Sequence, residues 1–433
     1  MTEVDTIEVE IERILPGGLG LAHAEGRTIF VSLAAPGDVV RVRVERSRGK
    51  VAFASIVEVI KASPERVEPP CPYFGRCGGC DFQQLNYEAQ LKAKVEIIND
   101  CLHRITRLDP LPEIEIHPSP REWRYRARAN WQFDPQTRAL GYFERGSHRV
   151  CDVAECAVLI PELEATLEEL RAGIKVGSIE LPAGDIDVAA GDDGISLSSV
   201  FGSSNERGPV ATAPGTDAYP VATALGTDYV REVSRNIGGE TYYFSANAFF
   251  QTNHALLETL IHEAVKGARG STAIDLYCGV GLFTVPLARR VDQVIGVESG
   301  RTSTEFARRN LENAHLSNAR IITARVNDWL QGNSGSLNNA ILPSGSSLSL
   351  DSRFQSEVDF LLLDPPRTGA EPGVIEGILS LGPKRISYVS CDPATLARDL
   401  KPLLAAGYSL ESIAAFDMFP QTHHVETIVR LRA

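Results

Sequence analysis

Residues 1 to 60 alternate between apolar and polar positions with a period of two. IEVEIERI, TIFVSL, DVVRVRVE and VAFASIVEVI read as strands, separated by the turn-forming PGGLG, APGD and RSRGK. About five short strands in so few residues predict a small closed, OB-like barrel over residues 1–62. In DVVRVRVE, Val40, Val42 and Val44 fall on one face and Arg41 and Arg43 on the other. The polar face is either a solvated surface or one that touches RNA backbone. Helical spacing follows in NYEAQLKAKVEIINDCLHRI, with Leu91, Val95, Ile98 and Leu102 on one side. Residues 123 to 159 return to strand character, within a β-rich central stretch of residues 63–242.

From residue 243 the pattern changes. AIDLY, QVIGVE, VDFLLLD and ISYVS are short apolar runs of buried-strand type, with helical segments such as FTVPLARRV and TSTEFARRNLENAHL between them. That alternation predicts an α/β, doubly wound, Rossmann-like parallel sheet over residues 243–433. Ligands of such sheets bind at the carboxyl ends of the strands. Stretches 202–228 and 332–352 are rich in Gly, Ser, Ala, Thr and Pro and are expected to be loops or insertions.

The 433 residues suit two or three domains. The net charge of −13 argues against a nucleic-acid partner on average. Locally the sign reverses: residues 121 to 149 hold seven arginines and three acidic residues, interleaved with aromatics. That mixture suits phosphate contact with base stacking, or equally an exposed strand face. No apolar run approaches a membrane span, and MTEVDTIEVE lacks the blocks of a signal peptide. A cytoplasmic protein with reduced cysteines is expected, so its thiols point to metal or catalysis.

Candidate chemistry lies at the predicted strand ends. AIDLYCGVGLF puts an acid in a strand and Gly279 and Gly281 in the turn after it. QVIGVE ends in Glu298, placed to accept hydrogen bonds from a ribose. A dinucleotide fingerprint would need a third glycine where Thr284 stands, so a compact nucleoside such as S-adenosyl-L-methionine fits better. LLLDPPRTG ends a strand in Asp364 and follows it with two prolines that stiffen the loop. In ISYVSCDPATLARDL, Cys391 precedes an expected helix N-cap at Asp392 and a first-turn Pro393. The helix end should lower its thiol pKa and favour a nucleophile. FPQTHHVETIVRL carries Glu426 at the start of an alternating strand, a candidate base, with His423 and His424 as substitutes or mere caps of the sheet edge.

These segments resemble the S-adenosylmethionine-dependent RNA uracil-5-methyltransferases. SCDPATLARDL and HHVETIVRL look like the two signature segments of that family, and FSANAFFQTN, DLYCGVGLFTVPLA and LLLDPPRTG like its cofactor loops. The first 60 residues look like its TRAM domain, an RNA-binding barrel. The resemblance implies Cys391 as nucleophile and Glu426 as base, with Gln251, Tyr277, Glu298, Asn327 and Asp364 as cofactor contacts. Leu282 stands where some relatives carry a polar residue.

CPYFGRCGGCDFQQLNYEAQLKAK is similar to the iron–sulfur segment of the ribosomal RNA branch. Its C-x5-C-x2-C spacing offers Cys71, Cys77 and Cys80, and VCDVAECAVL offers Cys151 or Cys156 as a fourth ligand. The resemblance favours Cys156. Four thiolates suit a 4Fe–4S cluster or zinc. The single C-x2-C knuckle argues for the cluster, in a structural role. The expectation is a monomeric, membrane-free enzyme that makes 5-methyluridine in 23S ribosomal RNA. The transfer RNA T-loop is the alternative substrate. A non-catalytic RNA-binding assembly factor is a second alternative, and a cytosine-5 methyltransferase a third. Some of those last carry their nucleophile in the D-P-P loop, where this chain has Arg367.

Overall fold

Residues 6–198, 229–332 and 357–433 are described by the computed structural model. Apart from Gly332, the two low-complexity stretches lie outside those residues. The first unit holds β1 (Thr6–Glu10), β2 (Arg13–Leu15), β3 (Leu19–Ala24), β4 (Arg27–Ser32), β5 (Val39–Arg48) and β6 (Val51–Lys61). Their order in the sheet is β1-β5-β6-β4-β3-β2. Its two outermost members, β1 and β2, are consecutive in the chain. Val40 and Val42 are fully buried inside while Arg43 faces out, as the alternation predicts.

α1 (Tyr87–Thr106) starts at Asn86, whose side chain accepts a hydrogen bond from Ala89 N. Its buried face differs from the one expected. Gln90, Lys94, Ile97, Ile98, Cys101 and Leu102 point inward, whereas Leu91 and Val95 are only half-buried. Apolar spacing misjudged the face because two of its inward positions are polar. Lys94 pairs with Asp417, and Gln90 bonds Gln421.

The chain continues through β7 (Ile114–His117), β8 (Arg128–Asp134), β9 (Ala139–Phe143), β10 (Val150–Asp152), α2 (Pro161–Val176), β11 (Gly184–Ala190), β12 (Ile195–Leu197) and β13 (Tyr229–Val230). Strands β8 to β13 form a sheet of order β10-β9-β8-β11-β12-β13. Leu163, Leu167 and Leu170 of α2 join Trp131, Ile186 and Val188 in its core. A hairpin, β14 (Val233–Ile237) and β15 (Glu240–Phe244), and α3 (Leu257–Ala264) lead into the last unit.

That unit contains β16 (Thr272–Leu276), α4 (Thr284–Ala288), β17 (Gln293–Glu298), α5 (Arg301–Asn313), β18 (Ala319–Thr323), α6 (Val326–Leu330), β19 (Phe360–Leu363), α7 (Val374–Leu381), β20 (Arg385–Ser390), α8 (Pro393–Ala405), β21 (Ser409–Phe416) and β22 (Glu426–Arg432). Its sheet has the order β18-β17-β16-β19-β20-β22-β21-β7. Strands β16 to β20 are parallel, and β22 runs antiparallel between β20 and β21. β16 and β19 are buried along their whole length, as a sheet covered on both faces requires. The chain reverses direction of winding between them, which opens a crevice at their carboxyl ends. β7 and α1 come from the 63–242 stretch, yet β7 pairs with β21 and part of α1 shares this unit's core.

Candidate active site

The strand ends bring Tyr277, Gly279, Gly281, Glu298 and Asp364 to one edge. Tyr277 follows β16 in a left-handed conformation (φ 62°), a strained state for a non-glycine residue. Gly279 and Gly281 also have positive φ, 54° and 87°. A Cβ on Gly281 would meet Ala307 of α5 at an ordinary 3.5 Å, so it is the positive φ and not lack of room that favours glycine there. Glu298 ties two loops together: Oε1 accepts from Gly300 N at 2.6 Å, and Oε2 from Gly279 N at 3.3 Å. Asp364 follows β19, where burial pushes its carboxyl up to about 7.

Asp275, inside β16, completes the group. Thr284 Oγ1 donates to its Oδ2 at 2.5 Å, while Oδ1 is buried without a partner. Burial, with the charges of Asp364 and Glu298 beyond the Thr284 bond, pushes this carboxyl up to about 7. Three acids around one crevice are electrostatically complementary to a cationic ligand. S-adenosyl-L-methionine, with its sulfonium and ammonium, is such a ligand. Gln251 lies buried in the segment after β15, which Ala127 N holds through Thr252 O at 2.9 Å. Asn327 sits on α6, where Gln331 Nε2 donates to its Oδ1 at 2.9 Å.

Cys391 follows β20, and β22 pairs with β20 in a register that sets Ser390 opposite Thr427. The next residue on each strand brings Cys391 and Glu426 side by side. Asp392 caps α8, its Oδ1 accepting from Thr395 N at 2.8 Å. The expected lowering of the Cys391 thiol by that helix end is not found. Burial, then the nearby Glu426 and Asp364 carboxyls, push it up to about 12, with Arg367 opposing them. Desolvation next to two acids outweighs a helix end that is already capped by Asp392. Burial and Asp364 likewise raise the Glu426 carboxyl well above its usual range. β22 does not alternate as expected: its first four residues are all buried, because the sheet is covered on both faces, with Ile428 in one core and Val429 in the other.

Sequence reasoning missed the residues that lock the Asp364 loop to the Cys391 helix. Asp399 of α8 accepts from Tyr388 OH at 2.7 Å, Ala370 N at 2.8 Å and Arg398 Nε at 2.8 Å. Arg398 also donates to Thr368 O at 3.0 Å. A Cβ on Gly369 would come within 2.4 Å of Arg398. The signal was an acid among Leu396, Leu400 and Leu403 on a buried helix face. The two histidines divide. His423 donates its N–H to Asp81 at 2.8 Å and sets its ring Nδ1 2.5 Å from the same carboxylate. Burial pushes His424 down to about 3, so it is uncharged at neutral pH.

Cys71, Cys77, Cys80 and Cys156 line one cavity with Tyr73, Arg126 and Tyr142. Cys151 is instead buried in β10 within the central core. Cys77 N bonds back to Tyr73 O at 2.8 Å, and Gly79 N approaches Cys77 Sγ at 3.4 Å. Gly78 packs where a Cβ would lie 3.0 Å from Phe143 O. Burial pushes the Cys77 thiol up to about 11 and Cys80 to about 12. Among the described residues, no three Cys, His, Asp or Glu side chains are arranged to hold a metal ion. The donor set, four sulfurs around one cavity, nevertheless has the chemistry of a cluster site.

The arginine-rich stretch divides: Arg126, Arg128 and Arg145 bond backbone carbonyls, whereas Arg121, Arg124, Arg138 and Arg149 are exposed. Arg124 pairs with Glu164 at 3.0 Å and Arg149 with Glu144 at 2.6 Å. Arg126 bonds Arg128 O, Arg128 bonds Ala246 O and Ala248 O, and Arg145 bonds Cys80 O. No described helix is long and apolar enough to cross a membrane.

Comparison with known proteins agrees with this geometry. Residues 220–433 match the family model described as tRNA (Uracil-5-)-methyltransferase, and residues 1–57 match the TRAM domain. The chain is 33% identical to the 23S rRNA (uracil(1939)-C(5))-methyltransferase RlmD of Pectobacterium atrosepticum, over 98% of this chain and 92% of that one. It is 31% identical to an uncharacterized RNA methyltransferase of Thermosynechococcus vestitus, covering 98% of each. Among solved structures, the Pyrococcus abyssi tRNA (uracil-54, C5)-methyltransferase in complex with S-adenosyl-L-homocysteine superposes with a TM-score of 0.70 at 25% identity, over 98% of this chain and 100% of that one. The chain therefore belongs to the RNA uracil-5-methyltransferase family and is an S-adenosylmethionine-dependent enzyme that methylates carbon 5 of uracil in RNA.

Proposed function

We propose that the enzyme acts on 23S ribosomal RNA in the cytoplasm, as a monomer, through a covalent adduct between Cys391 and uracil. The register that places Cys391 beside Glu426 carries this reading. Carbon 5 of uracil is a weak nucleophile. Addition of the Cys391 sulfur to carbon 6 moves the ring's double-bond electrons toward carbon 5 and oxygen 4. S-adenosyl-L-methionine supplies a methyl group on a cationic sulfur, which carbon 5 can take. Glu426 then accepts the proton from carbon 5. The C–H electron pair restores the C5–C6 double bond, and the C6–S pair returns to Cys391.

The acids explain the order of events. Without a ligand, burial and Glu426 hold Cys391 as a neutral thiol. A cation in the crevice offsets Asp364 and Glu426, so Cys391 loses its proton to solvent and becomes a thiolate more readily once the methyl donor is in place. Tyr277, Gly279, Gly281, Glu298 and Asp364 would hold that donor, joined by Gln251 and Asn327. Glu426, desolvated and of raised proton affinity, is suited to accept a proton. The target base must leave any stack to reach these groups.

Cys71, Cys77, Cys80 and Cys156 would hold a 4Fe–4S cluster that ties the loop at residues 71–80 to the central sheet and performs no chemistry. Their shared cavity supports this assignment, as it does the choice of Cys156 over Cys151. Iron analysis and visible absorbance after anaerobic purification test it.

The ribosomal reading rests on the RlmD relative, and the Pyrococcus structure favours transfer RNA as the competing substrate. Labelled methyl transfer to each RNA separates them; incorporation into transfer RNA alone rejects the ribosomal choice. RNA carrying 5-fluorouridine should remain covalently attached to Cys391, since no proton can then be removed from carbon 5. Turnover of ordinary RNA without such an adduct rejects the mechanism.

A further inference from the structure

The loop that joins β21 to β22 ends at Glu426, but its anchors come from a distant part of the chain. Main-chain N–H groups of Asp81 and Phe82 both donate to Gln421 O, at 3.1 and 3.0 Å. Gln421 N donates to Gln90 Oε1 at 2.9 Å, and Gln90 Nε2 returns a bond to Gln421 Oε1 at 3.0 Å. Lys94, fully buried, pairs with Asp417 and donates to Phe419 O at 3.0 Å. Tyr125 OH donates to Pro420 O at 2.9 Å. Gln421 itself is held at φ 67°, a conformation that a non-glycine side chain adopts only when its surroundings over-determine it.

The last anchor is the Asp81 carboxylate, which takes both the N–H and the ring Nδ1 of His423. Asp81 is 15% exposed and His423 25%, so the pair is well shielded from water. Glu426 lies three residues beyond His423, and the intervening Val425 is fully buried. So short and packed a link has little slack, and a shift at His423 is passed to the Glu426 carboxyl.

We infer that Asp81 is a positioning residue for the proton-removal step: through His423 it sets the Glu426 carboxyl against carbon 5 of the methylated adduct. The inference rests on the reading of Glu426 as the base. In that step the carbon 5 proton goes to Glu426, its bonding pair forms the C5–C6 double bond, and the C6–S pair returns to Cys391. Displacing the carboxyl therefore slows release of the adduct and spares its formation. A base misplaced by about 1 Å loses up to about 100-fold in rate.

The test uses the full-length enzyme, its methyl donor and ordinary uridine-containing RNA, with adducts read on denaturing gels. Asp81→Ala should bind the methyl donor as the parent does, form the Cys391–RNA adduct, and release it about 10- to 100-fold more slowly. Asp81→Asn keeps an acceptor for the His423 N–H and should recover most of the rate. His423→Ala removes the ring half of the contact and keeps its main-chain N–H to Asp81, so it should give a persistent adduct of smaller effect; it decides the matter if Asp81→Ala does not fold. Glu426→Gln is the reference. If it holds no adduct, the assignment of the base fails. If it does, and Asp81→Ala or His423→Ala releases product at the parental rate or never forms the adduct, the positioning role is overturned.

Discussion

In the C-terminal sheet the reactive groups come from strand ends: Tyr277, Glu298, Asp364, Cys391 and Glu426 each end, follow or begin a strand. In the central region Cys71, Cys77, Cys80 and Cys156 come from loops. Both clusters are desolvated, and burial raises thiols in each. They differ in what surrounds the sulfur. The Glu426 and Asp364 carboxyls, from two strands, oppose a thiolate at Cys391, so that site is incomplete without a cation. The loop thiols face each other and the guanidinium side of Arg126, which eases the burden on Cys80 and Cys156. Long-range strand register builds a site for a transient organic cation. Short turns gather the four thiols proposed to hold an inorganic cluster.

The comparison breaks most sharply at the sulfur of the sheet site. Cys391→Ala should lower methyl transfer by on the order of 10⁴-fold or more, while the methyl donor still binds. Measured incorporation near the parental rate would remove the nucleophile from the account. Next in size is the clamp between the Asp364 loop and α8. Asp399→Ala strips three hydrogen bonds from a buried carboxylate and should cost about 10- to 100-fold in kcat/KM, with weaker binding of the methyl donor as part of the loss. Titration calorimetry with the donor, beside the kinetics, separates the two contributions.

The loop site is sharpened by a pair of serines. Cys156→Ser should lose iron and visible absorbance and lower Tm by several degrees, whereas Cys151→Ser should keep its iron. The reverse result moves the fourth ligand to Cys151. The smallest effect concerns pH. Asp275 and Asp364 have ordinary values of 3.8 and are pushed up to about 7 by burial. Their stabilising contribution is full below about pH 4 and is lost as the pH rises toward 7, because the unfolded chain releases those protons first. The Tm of cofactor-free Asp275→Asn should therefore fall less between pH 5 and pH 8 than that of the parent, by a few degrees. Parallel curves would mean that this carboxyl is not held protonated.

Much of this molecule could be read in advance. Strand periods announced the barrel and the buried parallel sheet, and turn chemistry placed Gly279, Gly281 and the Asp392 cap. Polar residues on buried faces escaped the same reading. Lys94 and Gln90 sit where α1 should be apolar, because their partners, Asp417 and Gln421, are more than 320 residues away in the chain. The arginines of residues 121–149 suggested an RNA surface or an exposed strand face; Arg126 and Arg128 turn out to bond backbone carbonyls, while Arg121, Arg124, Arg138 and Arg149 stay exposed.

From the sequence alone came the kinds of residue and the local geometry around them, because backbone preference and hydrophobic period act over a few residues. Which thiol joins which cavity, the proton affinity of Cys391 and the anchoring of His423 by Asp81 were decided only in the tertiary structure. Those properties depend on desolvation and on charges brought near by strand pairing, and neither is encoded in spacing along the chain.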